Sequence, residues 1–201
     1  MTIITSKANS VVKNAKKLHQ KKYRKSVYLI EGWHLFEEAV QAGVRIERIF
    51  ALESYRDQLA AFPQTIWVSE EILRDLADTQ TPQGIVAVIQ KEEVGLPDFR
   101  QGKFLFLEDV QDPGNVGTMI RTADAAGFTG VIVSDKSADI YSLKTLRSMQ
   151  GSHFHLPIYR MPLATFVEEA KKSNLPILAT TLSRESKDYR ELSSLENFVL
   201  V

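Results

Sequence analysis

The chain has 201 residues, 44% of them hydrophobic, enough to bury one large core or two small ones. It has no cysteine, which excludes a disulfide framework and any Cys-based zinc site, and with only four histidines no bound metal is expected. Its 25 Lys and Arg balance 25 Asp and Glu, no apolar run approaches the roughly 18 to 20 residues of a membrane span, and the start lacks a signal peptide's pattern, so the expected compartment is the cytoplasm, away from membranes.

The charges are segregated. Lys7, Lys13, Lys16, Lys17, Lys21, Lys22, Arg24 and Lys25 precede Tyr28 without one acidic residue, a local basic field of the kind that neutralises phosphates. In the same stretch Asn9 and Ser10 cap a first helix that turns Val11, Val12, Ala15 and Leu18 inward and its lysines outward. A strand at 28–30, a helix at 35–42 stopped by Gly43, strands at 46–52 and 67–68, a helix at 70–77 and a strand at 85–89 follow, which describes a small αβα sandwich over residues 1–92. Gly95, Pro97 and Gly102 among charges mark residues 93–103 as a linker.

From residue 104 the pattern changes. Strands at 104–107, 130–133, 155–159, 176–180 and 198–201 alternate with helices near 115–126, 142–150 and 163–173, implying a mostly parallel α/β sheet covered on both faces. The first strand runs into Glu108-Asp109-Val110-Gln111-Asp112-Pro113-Gly114-Asn115, a turn with Asn115 where a helix N-cap is wanted. Beyond it Val116, Met119, Ile120, Ala123 and Gly127 form one stripe, with Arg121 on its flank beside Gly117 and Asp124. Arg121 can pair with Asp124 one turn away, or it can serve a cleft. Glu108, Asp109 and Asp112 are expected to cap turns and not to hold a metal. His153 and His155 read as strand neighbours pointing to opposite faces, which no single ion would join. No dinucleotide-binding or P-loop glycine pattern occurs.

Asn115-x-Gly117-x-x-x-Arg121 after Asp112-Pro113-Gly114 resembles the first motif of the SpoU family of RNA ribose 2'-O-methyltransferases, within the trefoil-knotted SPOUT superfamily. The likeness continues through residues 122–128, the strand at 130–133, and Lys144, Arg147, Gly151 and Leu156-Pro157. The amino-terminal part is similar to the RNA-binding domain attached to many SpoU enzymes, on Asn9, Lys13, Leu18, Arg24, Glu31-Gly32 and Thr81-Pro82-Gln83-Gly84. The resemblance implies a SPOUT methyltransferase domain over 104–201. The family's Gly-x-Glu-x-Gly loop and the Ser-Asn segment that threads its knot do not follow within these residues, so the chain is expected to be the front four-fifths of a longer enzyme.

The resemblance also implies S-adenosylmethionine as methyl donor, a homodimer, and an RNA substrate, ribosomal before transfer RNA. It points to Arg121 and Asn115 as catalytic, to Thr180, Thr181 and Leu182 as a partial donor-site wall, and to Asn9, Lys13, Lys17, Lys21, Arg24, Glu31, Gly32, Lys144 and Arg147 as RNA contacts. Lys144 and Arg147 could equally be an ordinary exposed helix edge. Family members place Arg121's counterpart beside the target ribose. Because a guanidinium stays protonated at neutral pH, holding a phosphate and orienting the hydroxyl is the safer role than acting as the base. The rival reading is a non-catalytic RNA-binding scaffold.

Overall fold

The computed structural model describes all residues except Met1, Asp78, Gln80, Leu182, Tyr189 and residues 191–194. The first sheet contains β1 (Val27–Glu31), β2 (Ile46–Ala51), β3 (Thr65–Trp67) and β4 (Ile85–Gln90) in the order β1-β4-β2-β3. β4 pairs antiparallel with β1 and β2, and β3 runs parallel to β2. The period of two decides what each face buries. Ile85, Ala87 and Ile89 of β4 point towards helix α2 (Trp33–Gln41), while Val86 and Val88 join Val12, Ala15, Ile72 and Leu73 of α1 (Ser10–Lys17) and α3 (Glu70–Ala77). Central β4 is thus covered on both sides, which is why it reads as an unbroken apolar run.

The second sheet is wholly parallel in its pairings. It contains β5 (Lys103–Leu107), β6 (Gly130–Val133), β7 (Ile158–Arg160), β8 (Ile177–Leu178) and β9 (Phe198–Leu200), ordered β7-β6-β5-β9-β8. Parallel strands need crossovers, and the first three of them carry the helices α4 (Pro113–Ala125), α5 (Leu143–Met149) and α6 (Leu163–Lys172). Phe104, Phe106 and Ile132 meet Phe166 of α6 on one face, with the rings of Phe106 and Phe166 stacked at 4.3 Å. Val131 and Val133 meet the α4 and α5 side on the other. Among the described residues no helix is long and apolar enough to cross a membrane.

Two local expectations are corrected. The strand expected at 155–159 begins only at Ile158, because Gln150 and Gly151 both take positive φ (53° and 96°) at the end of α5 and send the chain into a short 3-10 turn, Ser152–Phe154. His153 and His155 therefore do not alternate along a strand. The cap of α4 is Asp112, whose Oδ1 accepts from the Asn115 backbone N–H at 2.8 Å, with Pro113 in the first turn. Proline lacks an N–H and is preset for that first position, so the helix starts two residues before Asn115.

The sheets are joined by a continuous apolar cluster running from Tyr28, Leu35 and Ala39 to Val116, Leu146 and Met149. Polar groups cross the same junction. Buried Arg24 pairs with Asp139 and also donates to the carbonyls of Leu18 and His19 at 2.6 and 2.8 Å. Glu31 accepts from Arg147 at 3.1 Å and from the Thr79 hydroxyl at 2.6 Å. The Tyr28 hydroxyl meets His153 Nε2 at 3.0 Å, and His155 bridges Glu38 at 2.8 Å and Asp124 at 3.2 Å.

Burial works against the charge on Asp139, yet the bonds from Arg24 and the Tyr141 N–H hold its pKa below the usual carboxylate value. Replacing Asp139 by Ala strands a buried guanidinium and is expected to cost about 3–5 kcal/mol of unfolding free energy at neutral pH. A carboxylate with a depressed folded pKa contributes fully above its unfolded value of about 3.9 and loses that contribution as pH falls through the folded value. Urea unfolding of wild type and variant should therefore differ most at neutral pH, with the gap narrowing below about pH 4.

Candidate functional site

The turn after β5 is held by its own carboxylates. Asp109 sits at φ 51° with its carboxylate accepting from the Ser134 hydroxyl at 2.8 Å, and Ser137 donates to the Leu107 carbonyl at 3.0 Å while receiving the Val110 N–H. At Asp112 the N–H of Asn115 lowers the carboxylate pKa, with a smaller contribution from Lys144. These acids are spent on turn and cap geometry, as carboxylates at a strand end commonly are.

α4 then leaves the carboxyl edge of the sheet and buries Val116, Gly117, Ile120 and Ala123. Gly117 belongs to the buried face and not, as expected, to the flank, because α5 crosses it at backbone distance. A Cβ there would lie 2.5 Å from Ser148 Cβ and 2.7 Å from the Thr145 carbonyl oxygen. Met119, expected in the buried stripe, is 39% exposed.

It is exposed because a cleft opens beside it. A cavity of about 640 Å³ lies at the carboxyl ends of β5, β9 and β8, where open α/β sheets commonly bind ligands. Leu107, Met119, Ala123, Phe128 and Leu200 make it mainly apolar, and Glu108, Thr118, Thr122 and Thr180 supply polar groups. An apolar wall with a few hydroxyls and one carboxylate fits an adenosyl group with its ribose hydroxyls. Of the three residues expected at a donor site, Thr180 lines this cleft, its N–H and hydroxyl both donating to the Val201 carbonyl at 2.8 and 2.9 Å. Thr181 is not among the lining residues, and Leu182 lies outside the described residues. The apolar lining went unnoticed in the sequence. The rule that ligands sit beyond strand carboxyl ends was the available signal.

Arg121 is exposed and does not line the cleft. At 3.6 residues per turn it projects roughly 130° away from the cleft-facing side of α4. It makes no ion pair among the described residues, and the alternative surface pair with Asp124 does not form; Asp124 holds His155 instead. Asn115, also exposed, lies in the first turn of the same helix.

The residues expected to touch RNA divide sharply. Lys13, Lys17 and Lys21 are exposed on or just after α1, and Asn9 caps that helix by accepting the Val11 N–H at 2.9 Å. Arg24 and Glu31 are corrected from RNA contacts to junction residues, since each is buried and charge removed from water must find a partner. Gly32 is likewise buried at φ 92°, turning β1 into α2. Arg147 is committed to Glu31, and Lys144 stands exposed 3.4 Å from Asp112.

Residues 102–201 match the SpoU rRNA Methylase family, and residues 9–87 match the MRM3-like substrate binding domain. The chain is 42% identical over 205 residues to the Bacillus subtilis 23S rRNA (guanosine(2553)-2'-O)-methyltransferase RlmP, covering 100% of this chain and 82% of that protein. It is also similar to the crystal structure of an rRNA methyltransferase from Sinorhizobium meliloti, with a TM-score of 0.88 and 31% identity, covering 99% of this chain and 80% of the other. The AdoMet-bound form of that enzyme superposes with a TM-score of 0.85 at 30% identity, covering 99% and 79%.

Gly117→Ala should force α4 and α5 apart at a backbone contact that cannot yield, costing about 1–3 kcal/mol by overpacking and lowering the melting temperature. Gly95→Ala, where an added Cβ meets nothing within 4 Å, should leave it unchanged. Thermal melts of the two variants make the comparison.

Proposed function

The chain belongs to the SpoU rRNA methylase family, and from that premise we propose that it is an S-adenosylmethionine-dependent enzyme that methylates a ribose 2'-hydroxyl of ribosomal RNA. The observation that carries this reading is the pairing of an apolar cleft at the strand ends with an uncompensated arginine on the helix that walls it. S-adenosylmethionine, when bound, supplies an electrophilic methyl on a sulfonium. Leu107, Met119, Ala123, Phe128 and Leu200 would hold the adenosyl part away from water, and Thr180 and Glu108 offer groups to its hydroxyls.

Arg121 would hold the phosphate beside the target ribose and orient the hydroxyl, a positional contribution that an always-protonated guanidinium can make. Because it faces away from its own cleft, Arg121 would serve the cleft of a second copy, a direction that favours a homodimer with α4 near the subunit boundary. The exposed lysines of α1, with Lys21, would provide the sequence-independent attraction for the RNA backbone.

The direct test is to incubate the protein with ribosomal RNA and methyl-labelled S-adenosylmethionine, then digest to nucleosides. Label in a 2'-O-methyl nucleoside is the expected result, and label confined to bases or absent altogether would overturn the assignment. Arg121→Ala should abolish transfer while RNA affinity stays within a few fold, measured by single-turnover assay and filter binding. Changing Lys13, Lys17 and Lys21 together to Gln should weaken RNA binding and reduce the slope of log affinity against log salt by roughly 0.7–0.9 for each phosphate no longer neutralised. An unaltered slope would place the RNA elsewhere.

A further inference from the structure

The junction between the two sheets holds a second group of cations that the methyl-transfer site does not use. A pocket of about 330 Å³ is lined by Lys21, Arg24 and Lys91 from the first part of the chain, and by Asp139, Tyr141 and Arg160 from the second. Arg24 is neutralised by Asp139. The other three cations have no carboxylate partner among the described residues.

Arg160 is anchored but not neutralised. Its guanidinium donates to the backbone carbonyls of Ser134 at 2.8 Å, Asp135 at 3.2 Å and Ala138 at 3.4 Å, which fixes its direction and leaves its full charge in place. Lys91 is similar. Its Nζ donates to the Arg24 carbonyl at 2.5 Å and lies 4.2 Å from the centre of the Tyr141 ring. Burial lowers the Lys91 pKa, and the nearby Arg24, Lys21 and Arg160 push it the same way, with Asp139 opposing them. The one other acid on the lining, Glu92, is exposed and forms no ion pair among the described residues. Cations gathered this closely repel one another, and an arriving anion relieves that repulsion.

We propose that this junction pocket binds a phosphodiester of the RNA substrate through Lys91, Arg160 and Lys21. The inference rests on the RNA-methyltransferase reading and adds to it a phosphate subsite built from both parts of the chain. Lys21 follows α1, so the pocket continues the exposed lysine row of that helix. A phosphate seated here would touch both sheets at once, fixing the RNA relative to the strand-end cleft as well as to the basic helix.

The test measures binding of a ribosomal RNA fragment over a range of salt for wild type, Lys91→Gln, Arg160→Gln and Lys21→Gln, with circular dichroism and melting temperature as folding controls. Arg160→Gln removes three carbonyl hydrogen bonds and can disturb the loop. Lys21 also continues the basic row of α1, so Lys91→Gln, which gives up a single carbonyl hydrogen bond, keeps the test decisive. Each variant should lose about one unit of salt slope and several-fold affinity at low salt. Wild-type binding with unchanged slopes in folded Lys91→Gln and Arg160→Gln would overturn this inference alone, whereas a wild type that binds no RNA at all would overturn the RNA reading and this inference with it. Titration with inorganic phosphate, followed by the Arg160 side-chain nitrogen resonance, separates the two sources of the anion. A shift with free phosphate and none with RNA would make this a small-anion site and refute the proposal.

Discussion

The structure depends on buried charge finding a partner across the junction between its two sheets. Glu31 at the end of β1 is 8% exposed and would be costly to ionise alone, so it takes Arg147 of α5. Arg24, 7% exposed, takes Asp139 from the loop that leads into α5. The two pairs tie β1 and the segment before it to α5 and the loop that leads into it. That helix in turn lies against α4 at Gly117, where only a hydrogen leaves room for the α5 backbone. The position of Arg121 and of the strand-end cleft is therefore referred, through two helices, to charges on a different sheet.

This arrangement explains how a chain of zero net charge can serve a polyanion. Acidic residues are consumed internally: Asp139 and Glu31 at the junction, Asp109 and Asp112 in the turn before α4, Asp124 and Glu38 on His155. Lys13, Lys17, Lys21 and Arg121 keep no carboxylate partner among the described residues. What a nucleic acid meets is set by where the charges are placed and not by their sum.

The two junction histidines respond to acid in opposite senses. Burial, aided by the neighbouring His155, pushes His153 down to about 3, and its Nδ1 is enclosed without a hydrogen-bond partner among the described residues. A folded value below the unfolded one, about 6.5, means that its neutral hydrogen bond with Tyr28 contributes fully above that pH and fades as pH falls. For His155 partial burial favours the neutral form, but hydrogen bonds with Asp124 and Glu38 outweigh it and raise the pKa. Its bridge is fully present below the unfolded value and weakens as pH rises through the folded one. The His153–Tyr28 bond is partly buried and the His155 bridge faces solvent, so solvent screens the His155 bridge more strongly.

Much was legible along the chain because it is a property of short segments. The unbroken apolar runs of β4 and β5, the buried face of α1 and the motif from Asn115 to Arg121 all lie within a dozen residues, the range over which hydrophobic pattern and backbone chemistry act. Errors arose where a single residue had two possible neighbours. Asn115 lost the cap to Asp112, His153 and His155 left the strand after two left-handed residues, and Arg24 and Glu31 turned from surface ligands into junction pairs. Only the tertiary structure decided those, and likewise the meeting of Lys91 with Arg160, the apolar cleft at the strand ends and the outward direction of Arg121. Pairing of a buried charge and the walls of a cavity depend on groups brought together from distant parts of the chain, and no local pattern records which partner the fold will supply.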